Sequence, residues 1–185
     1  MKRTFIALPL NPVNELVNII RSVSLDNWGA KMKWIPANQW HFTLAFIGET
    51  DLKVEKTVIE ILNDLALGLN RFHIRFNGFG LFPHVHDPKI VWMGIDKQPL
   101  LVEFANKIHQ ELENARVEFD SRPFVPHLTV GRIRKVVDPE LFNEQFNSCR
   151  LPELFSFELK ELIFYQSVLK SNGPVYEPLK RWKLK

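Results

Sequence analysis

The sequence contains two similar stretches, His41-Phe42-Thr43-Leu44-Ala45-Phe46 and His127-Leu128-Thr129-Val130-Gly131-Arg132, which begin 86 residues apart. In each, a histidine and a threonine stand two residues apart within an apolar, β-prone run. Side chains at positions i and i+2 of a strand share one face and lie about 6.6 Å apart along it. The pattern therefore predicts two strands that each present an imidazole and a hydroxyl on one surface, with Phe42 and Leu128 pointing into a core.

Chance does not readily account for this repeat. With six histidines and five threonines in 185 residues, only about 0.16 His-x-Thr triplets are expected at random. A single triplet would be interpreted as a structural strand histidine. Two triplets, each inside an apolar strand, indicate a function.

Phosphodiester cleavage gives a chemical reason for two histidines. In-line displacement places the attacking water and the leaving oxygen on opposite sides of phosphorus. One group must take a proton and another must give one, and an imidazole with an ordinary pKa of about 6.5 suits both tasks. His41 and His127 are thus the candidate acid–base pair, and the hydroxyls of Thr43 and Thr129 can donate to the non-bridging phosphate oxygens.

Arg132 follows the second triplet and is a candidate phosphate ligand. Its guanidinium could offer a fixed cationic fork to the anion. The alternative interpretation is a surface charge at the end of a strand, which is how Arg134 and Lys135 are interpreted.

The rest of the chain predicts an α+β fold of irregularly alternating strands and helices. Helices are expected from Asn11-Pro12, after Asp51, around Leu101–Leu112 and after Asp138. A turn-rich break is expected at Gly78–Pro83, and a second turn at Ser171–Pro174. The expected strands are Thr4–Leu8, Trp40–Ile47 (closed by Gly48), Phe72–Asn77, Ile90–Ile95, Val125–Ile133, Phe155–Leu169 and a last one ending near Trp182.

Composition limits the class of protein. The chain is 45% hydrophobic, with 15 Phe and 5 Trp, which is enough for one domain spanning residues 1–185, or for two tightly joined lobes. A net charge of +3 indicates ordinary solubility. A single cysteine, Cys149, excludes an intramolecular disulfide and a Cys-based zinc site, and no apolar run reaches membrane-spanning length. We expect a soluble cytoplasmic protein that does not bind a membrane.

Further segments resemble one family, the bacterial and archaeal RNA 2′,3′-cyclic phosphodiesterases of the 2H phosphoesterase superfamily, historically called 2′-5′ RNA ligases. The resemblance covers nearly the whole chain, and the doubled His-x-Thr is specific to the superfamily. The sequence departs from the family pattern at Lys89, where an arginine is often found. The matching segments are Arg3-x-Phe5-x-Ala7, His41–Gly48, Gly78–Pro83 followed by Pro88–Trp92, His127–Arg132, Ser167–Leu169 and Gly173–Tyr176.

The resemblance implies a bilobal fold: two mainly antiparallel sheets with outer helices, pseudo-two-fold symmetry and a central cleft that holds both histidines. It also implies hydrolysis of a terminal 2′,3′-cyclic phosphate to a 2′-phosphate. We expect a metal-independent monomer without cofactors. The partner would be an RNA 3′ end or a nucleotide bearing that group. By the same resemblance His41 is the general acid and His127 the base, although the residues themselves leave this order open.

Other polar and aromatic residues have competing interpretations. His84, His86 and Asp87 could ligate a metal, but an exposed loop between two prolines is the preferred interpretation. His73 and His109 are interpreted as structural or solvated.

Aromatic residues are candidates for contact with a nucleoside. Phe46, Phe82 and Trp92 could stack on a base, with core packing as the alternative and Phe82 the least core-like. Tyr176 could reach the cleft or anchor a hairpin.

Three alternative functions stay open at this point. The first is another 2H activity, on 2′-5′-linked oligonucleotides or a cyclic ADP-ribose phosphate. The second is a non-catalytic module that binds a nucleotide or an RNA end, which would have no need of two proton-transfer groups. The third is a metal-dependent hydrolase.

Overall fold

The two His-x-Thr segments lie in different antiparallel sheets of the computed structural model, which describes residues 1–11, 14–84, 86–149, 156–171 and 173–185. The strands are β1 Lys2–Pro9, β2 Ala30–Trp34, β3 His41–Thr50, β4 Phe72–Phe82, β5 Ile90–Ile95, β6 His127–Val136, β7 Ser156–Leu159, β8 Glu161–Lys170 and β9 Gly173–Lys183. The helices are α1 Asn14–Leu25, α2 Leu52–Ala66, α3 Pro99–Asn114 and α4 Pro139–Ser148, with a short 3-10 turn at Ala37–Gln39.

Each sheet forms one lobe of the molecule. The first lobe is a four-stranded sheet in the order β3-β1-β8-β9, and the second is a five-stranded sheet in the order β2-β6-β5-β4-β7. Helices α2 and α3 pack on each other, and they contact β9 and β3 respectively. The predicted α+β fold with two antiparallel sheets is confirmed.

Two of the helices begin where the sequence predicts. The carboxylate of Asp51 accepts a hydrogen bond from the Val54 amide at 2.8 Å. That of Asp138 accepts one from the Leu141 amide at 3.1 Å, and Pro139 occupies the first helical position. An N-cap of this type satisfies a backbone donor that has no partner within the helix.

The residues between the histidines and threonines point into the core, as predicted. Phe42 and Leu128 have no exposed surface. The Phe42 ring stacks on Phe76 of the second sheet, with 6.2 Å between centroids. Burial of these side chains fixes which face of β3 and β6 the histidines occupy, because a strand alternates its side chains between two faces.

The predicted break at Gly78–Pro83 is wrong, because β4 continues through it to Phe82. Gly78 has φ 140° at a one-residue register shift against β5. A Cβ on Gly80 would collide with the Trp92 ring. The glycines therefore serve a bulge and a close approach within the strand, and not a turn.

The predicted long extended segment at the C-terminal end is divided between the lobes. Its strands β7 and β8 pair with β4 and β1 respectively, and they are separated by Lys160 alone. The segment's predicted start at Phe155 lies outside the described residues, as do Pro12 and Val13 of the predicted first helix and Asn172 of the predicted turn.

Strand β2 has no counterpart among the predicted strands. It is a half-buried strand at the edge of the second sheet, and it pairs with β6. Among the helices of the described residues, none combines the length and the apolar character that crossing a membrane requires.

Candidate active site

His41 and His127 are held by the same local contact. In each ring Nδ1 lies 2.7 Å from the carbonyl oxygen two residues earlier, that of Gln39 for His41 and that of Val125 for His127. A carbonyl oxygen only accepts, so Nδ1 donates in both rings. In the neutral imidazole Nε2 is then unprotonated, and it is the atom available to take up a proton.

A bulge in β6 brings Arg132 to the histidine face. Residues Gly94, Trp92 and Ile90 of β5 pair with His127, Thr129 and Arg132, with a register shift in β6 after Thr129. Alternate residues of β5 share a face, so their three partners share one as well. Without the extra residue, Arg132 would point to the opposite side, because it lies three positions after Thr129.

Strand β3 contains a bulge at the corresponding position. Pro9, Ala7 and Phe5 of β1 alternate along one face and pair with His41, Thr43 and Phe46. The shift falls after Thr43, so Phe46 occupies in the first lobe the place that Arg132 occupies in the second. The two strands thus share the spacing His-x-Thr-x-x-Xaa. The last position is the aromatic Phe46 in β3 and the cationic Arg132 in β6.

The pKa values of the two histidines show that residues of the two lobes interact across the cleft between them. The pKa of His41 is lowered to about 4, chiefly by burial; the hydrogen bond to Gln39 opposes this shift, and the charges of Arg132 and His127 add smaller lowering effects. Burial also lowers the pKa of His127, partly offset by its hydrogen bond to Val125. Strands β3 and β6 also contact each other across the two sheets, so His41, His127 and Arg132 line one site.

Aromatic rings surround His41 on its own lobe. Phe5 lies 5.1 Å from His41, and Tyr176 meets it edge-on at 5.2 Å. Tyr176 also meets Phe5, at 5.0 Å. Tyr176, for which the sequence left open a place in the cleft or a hairpin anchor, thus lies beside His41.

A second pair of rings surrounds His127. Phe82 meets it edge-on at 5.0 Å, and Trp92 lies 6.2 Å away. Phe82 and Trp92 stack on each other, with 4.9 Å between centroids. Packing of this kind restricts the ring orientation of each imidazole and removes water from around it.

The remaining site residues predicted from the sequence lie on the same surface. Thr43 and Thr129 are half-buried on the histidine face, and Arg132 is exposed. The structure brings together His41, Thr43, Phe82, His127, Thr129, Arg132 and Tyr176.

Three contributors to the site went unrecognised in the sequence. Gln39 and Val125 supply the carbonyls that hold His41 and His127. Arg3 lies on the cleft face of β1 with its guanidinium 4.9 Å from the Phe46 ring. Burial raises the pKa of Tyr176, and the charges of Arg132 and Arg3 partly oppose that shift. The alternation of Arg3, Phe5 and Ala7 in a short strand was the signal that could have revealed the cleft face of β1.

His109 has a structural role in the site. Its Nε2 lies 2.8 Å from the carbonyl oxygen of Leu44, the residue at the bulge of β3. The amide of Asp120 donates to the Phe46 carbonyl at 2.8 Å. These two contacts hold the bulge from the helix side and so support the placement of Phe46.

The histidines outside the site contact other groups. His84 Nδ1 accepts a hydrogen bond from the Asp87 amide at 3.3 Å, while the Asp87 carboxylate pairs with Lys89 at 2.5 Å. His73 is mostly exposed and lies 3.6 Å from Glu158. In the described part of the chain, no three His, Cys, Asp or Glu side chains are grouped to hold a metal ion.

Comparison with known proteins shows which sequences the chain resembles. The family model of the 2′-5′ RNA ligase superfamily matches residues 15–168. The chain is 31% identical to the RNA 2′,3′-cyclic phosphodiesterase of Methanocaldococcus jannaschii, over 82% of this chain and 84% of that protein. It is 27% identical to the protein of the same name from Thermotoga maritima, over 96% and 92% of the two chains.

Solved structures share the fold. Escherichia coli LigT complexed with 3′-AMP superposes with a TM-score of 0.76 at 24% identity, covering 100% of this chain and 98% of that one. A protein from Thermus thermophilus gives a TM-score of 0.75 at 23% identity, covering 98% and 97% of the two chains. The similarity extends over both lobes. These proteins therefore share both the individual sheets and the arrangement of the two sheets relative to each other.

Proposed function

The chain belongs to the 2′-5′ RNA ligase superfamily, and we propose that it hydrolyses the 2′,3′-cyclic phosphate of an RNA 3′ end or nucleoside to a 2′-phosphate. Relatives that match most of its length carry the name RNA 2′,3′-cyclic phosphodiesterase. The observation that carries the proposal is the pair of imidazoles, each held through Nδ1, that face one cleft from two lobes.

The two proton transfers fall to Nε2 of each histidine. Nε2 of neutral His127 takes a proton from water while the water oxygen forms a bond to phosphorus. The P–O3′ bond breaks, and O3′ receives the proton carried by Nε2 of His41. The products are a 3′-hydroxyl and a 2′-phosphate, with one molecule of water consumed. The assignment of His41 as acid and His127 as base follows the family resemblance.

The other residues of the histidine face would bind the phosphate and the nucleoside. Thr43 and Thr129 stand beside the histidines and can donate hydroxyl hydrogens to the non-bridging oxygens, where charge accumulates. The Arg132 guanidinium adds a charge-assisted fork. Phe82 and Tyr176 border the two imidazoles and can contact the nucleoside.

The proposed site is complete within one chain and consists of proton-transfer and hydrogen-bonding groups. His41 and His127 belong to the same protomer, which favours action as a monomer. The chemistry assigned to them needs no bound metal, because the two imidazoles supply both proton transfers.

Turnover by EDTA-treated protein tests the proposal. Nucleoside 2′,3′-cyclic phosphates and a short RNA with the same end are incubated with wild type, His41→Ala and His127→Ala, and 2′- and 3′-phosphate products are separated. We expect 2′-phosphate from wild type and a loss of about 10²- to 10⁴-fold in each variant. Activity that vanished with EDTA and returned with one divalent ion would refute the acid–base account.

A further inference from the structure

A cavity of about 470 Å³ opens beside His41, on the first lobe. Its walls come from the end of β1, from the 3-10 turn and from strands β8 and β9. The lining includes His41, Asn38, Gln39, Tyr165, Tyr176 and Arg181. Its volume falls within the range of small-molecule sites in proteins.

The direction of the reaction places this cavity on the ribose side of the phosphate. This step rests on the proposed function, in which His41 protonates O3′. The leaving oxygen is part of the terminal ribose, so the ribose lies on the His41 side of phosphorus and the attacking water lies on the other. The RNA chain that continues from the ribose 5′ carbon therefore leaves the reaction centre toward the first lobe.

The lining has the groups that single-stranded RNA binding uses. Tyr165 stacks on Phe5 at 5.1 Å with 17° between planes, which fixes the orientation of its ring. Asn38 and Gln39 offer side-chain amides at the rim. Aromatic faces and amide donors of this kind bind unstacked bases and their edges.

A cation stands at the end of the cavity away from His41. The Arg181 guanidinium donates from one terminal nitrogen to Glu161 at 3.1 Å, and its side chain is about half exposed at 52%. The bond to Glu161 orients the guanidinium while solvent still reaches it. Gln39 donates from Nε2 to the Pro174 carbonyl at 3.1 Å, which ties the rim to the hairpin of β9.

We propose that this cavity binds the nucleotide on the 5′ side of the cyclic end, with its base against Tyr165 and its phosphate near Arg181. The site would make the protein favour oligonucleotides over mononucleotides. Base–aromatic stacking contributes enough affinity per base to change binding by tenfold or more.

The test compares kcat/KM for a dinucleotide ending in a 2′,3′-cyclic phosphate with kcat/KM for the corresponding mononucleoside. Asn38→Trp fills the cavity from an exposed position, and Arg181→Gln removes its cation. We expect the dinucleotide-to-mononucleoside ratio to fall at least tenfold in Asn38→Trp and several-fold in Arg181→Gln.

Two control variants match these changes outside the cavity. Lys180→Gln removes a charge one residue away, where the ammonium lies over the Trp182 ring. Asn70→Trp adds an indole at an exposed position before β4. Both should keep the wild-type ratio.

Contrary outcomes have distinct meanings. An equal loss on both substrates would place the terminal nucleoside in the cavity and overturn the proposal, and so would an unchanged ratio. Binding of the dinucleotide 2′-phosphate, measured by calorimetry, is expected to weaken in the same two variants. That readout is independent of turnover, so a failure of the hydrolytic function would be recognised separately, as an inactive wild type.

Discussion

Arg132 lowers the pKa of His41 although the two residues belong to different lobes. The guanidinium reaches this position only because a bulge in β6 returns it to the histidine face. Burial is the main cause of the low His41 pKa, and the cation that would bind the phosphate adds to it, so His41 is neutral until an anion binds. Substrate binding would offset the arginine charge and favour the protonated imidazole that a general acid requires.

The pH dependence should reflect this coupling. His127 must be neutral, so activity is lost as pH falls through its pKa, and His41 must be protonated, so activity is lost as pH rises through its own. Both pKa values lie below 6.5 in the free protein, that of His41 at about 4. We expect a bell-shaped kcat/KM profile with its maximum below pH 6.5, and a kcat profile extending to higher pH because bound phosphate raises the His41 pKa.

Steady-state kinetics from pH 3.5 to 9 would measure both profiles. The stability of the fold across this range is followed by circular dichroism as a control. A kcat/KM maximum above pH 7, with chemistry shown to be rate-limiting, would contradict the electrostatic account.

The leaving group can separate the roles of the two histidines. Replacing O3′ of the cyclic phosphate by sulfur gives a leaving thiolate, whose conjugate thiol has a pKa of about 8.5, and it needs little protonation. We expect His41→Ala to recover most of its loss with this substrate, while His127→Ala remains impaired. Recovery in His127→Ala instead would reverse the acid and base assignments.

Removing the Arg132 fork should weaken turnover without affecting the fold. Arg132→Ala is expected to lower kcat/KM by about 10- to 100-fold, in keeping with one charge-assisted contact of about 1.5–3 kcal/mol. Arg132→Lys should recover only part of the lost kcat/KM, because an ammonium lacks the planar fork. Arg134→Ala is the matched control on the same strand, and an equal effect there would indicate a general charge effect.

His109 can be tested as a positioning residue. His109→Leu removes the hydrogen bond to the Leu44 carbonyl, which should lower the free energy of unfolding by about 1 kcal/mol. Loss of the bulge support should also raise KM more than it lowers kcat, because Phe46, a candidate to stack on the base, is displaced while His41 keeps its own contact.

Two further variants complete the His109 test. His109→Gln retains a donor and should behave closer to wild type. His73→Gln, at an exposed histidine, should change neither KM nor stability. A stability loss in His109→Leu with KM unchanged would leave His109 a purely structural residue.

Substitution on the core face of β3 should affect stability and not substrate binding. Phe42 is fully buried against Phe76, so Phe42→Ala should lower the free energy of unfolding by about 3 to 5 kcal/mol. Leu169→Ala, at a side chain that is 84% exposed, should stay within about 0.5 kcal/mol of wild type. Urea denaturation of the two variants measures the difference.

Local patterns predicted the two His-x-Thr strands well. Alternation around His41 and His127 placed the histidines and threonines on one face, and Asp51 and Asp138 marked two helix starts. These features depend on neighbours within a few residues, which a single sequence displays directly.

Features that depend on distant contacts were missed. The glycines before Phe82 resemble a turn until Trp92 of the neighbouring strand is seen to occupy the space above Gly80. The bulges after Thr43 and Thr129 could not be predicted from the two-residue alternation of a regular strand, because a bulge interrupts that alternation. The sequence left Tyr176 between the cleft and a hairpin anchor, because its approach to His41 depends on the pairing of β9 with β8 and of β8 with β1.

The single-residue junction at Lys160 has a consequence for motion. The Leu184 amide donates to the Lys160 carbonyl at 2.9 Å, and the C-terminal residue Lys185 exchanges backbone hydrogen bonds with Leu69 and Arg71 just before β4. A hinge opening of the two lobes at this junction would have to break these bonds. These bonds therefore oppose a hinge motion of the two lobes at Lys160 and favour a cleft of nearly constant width.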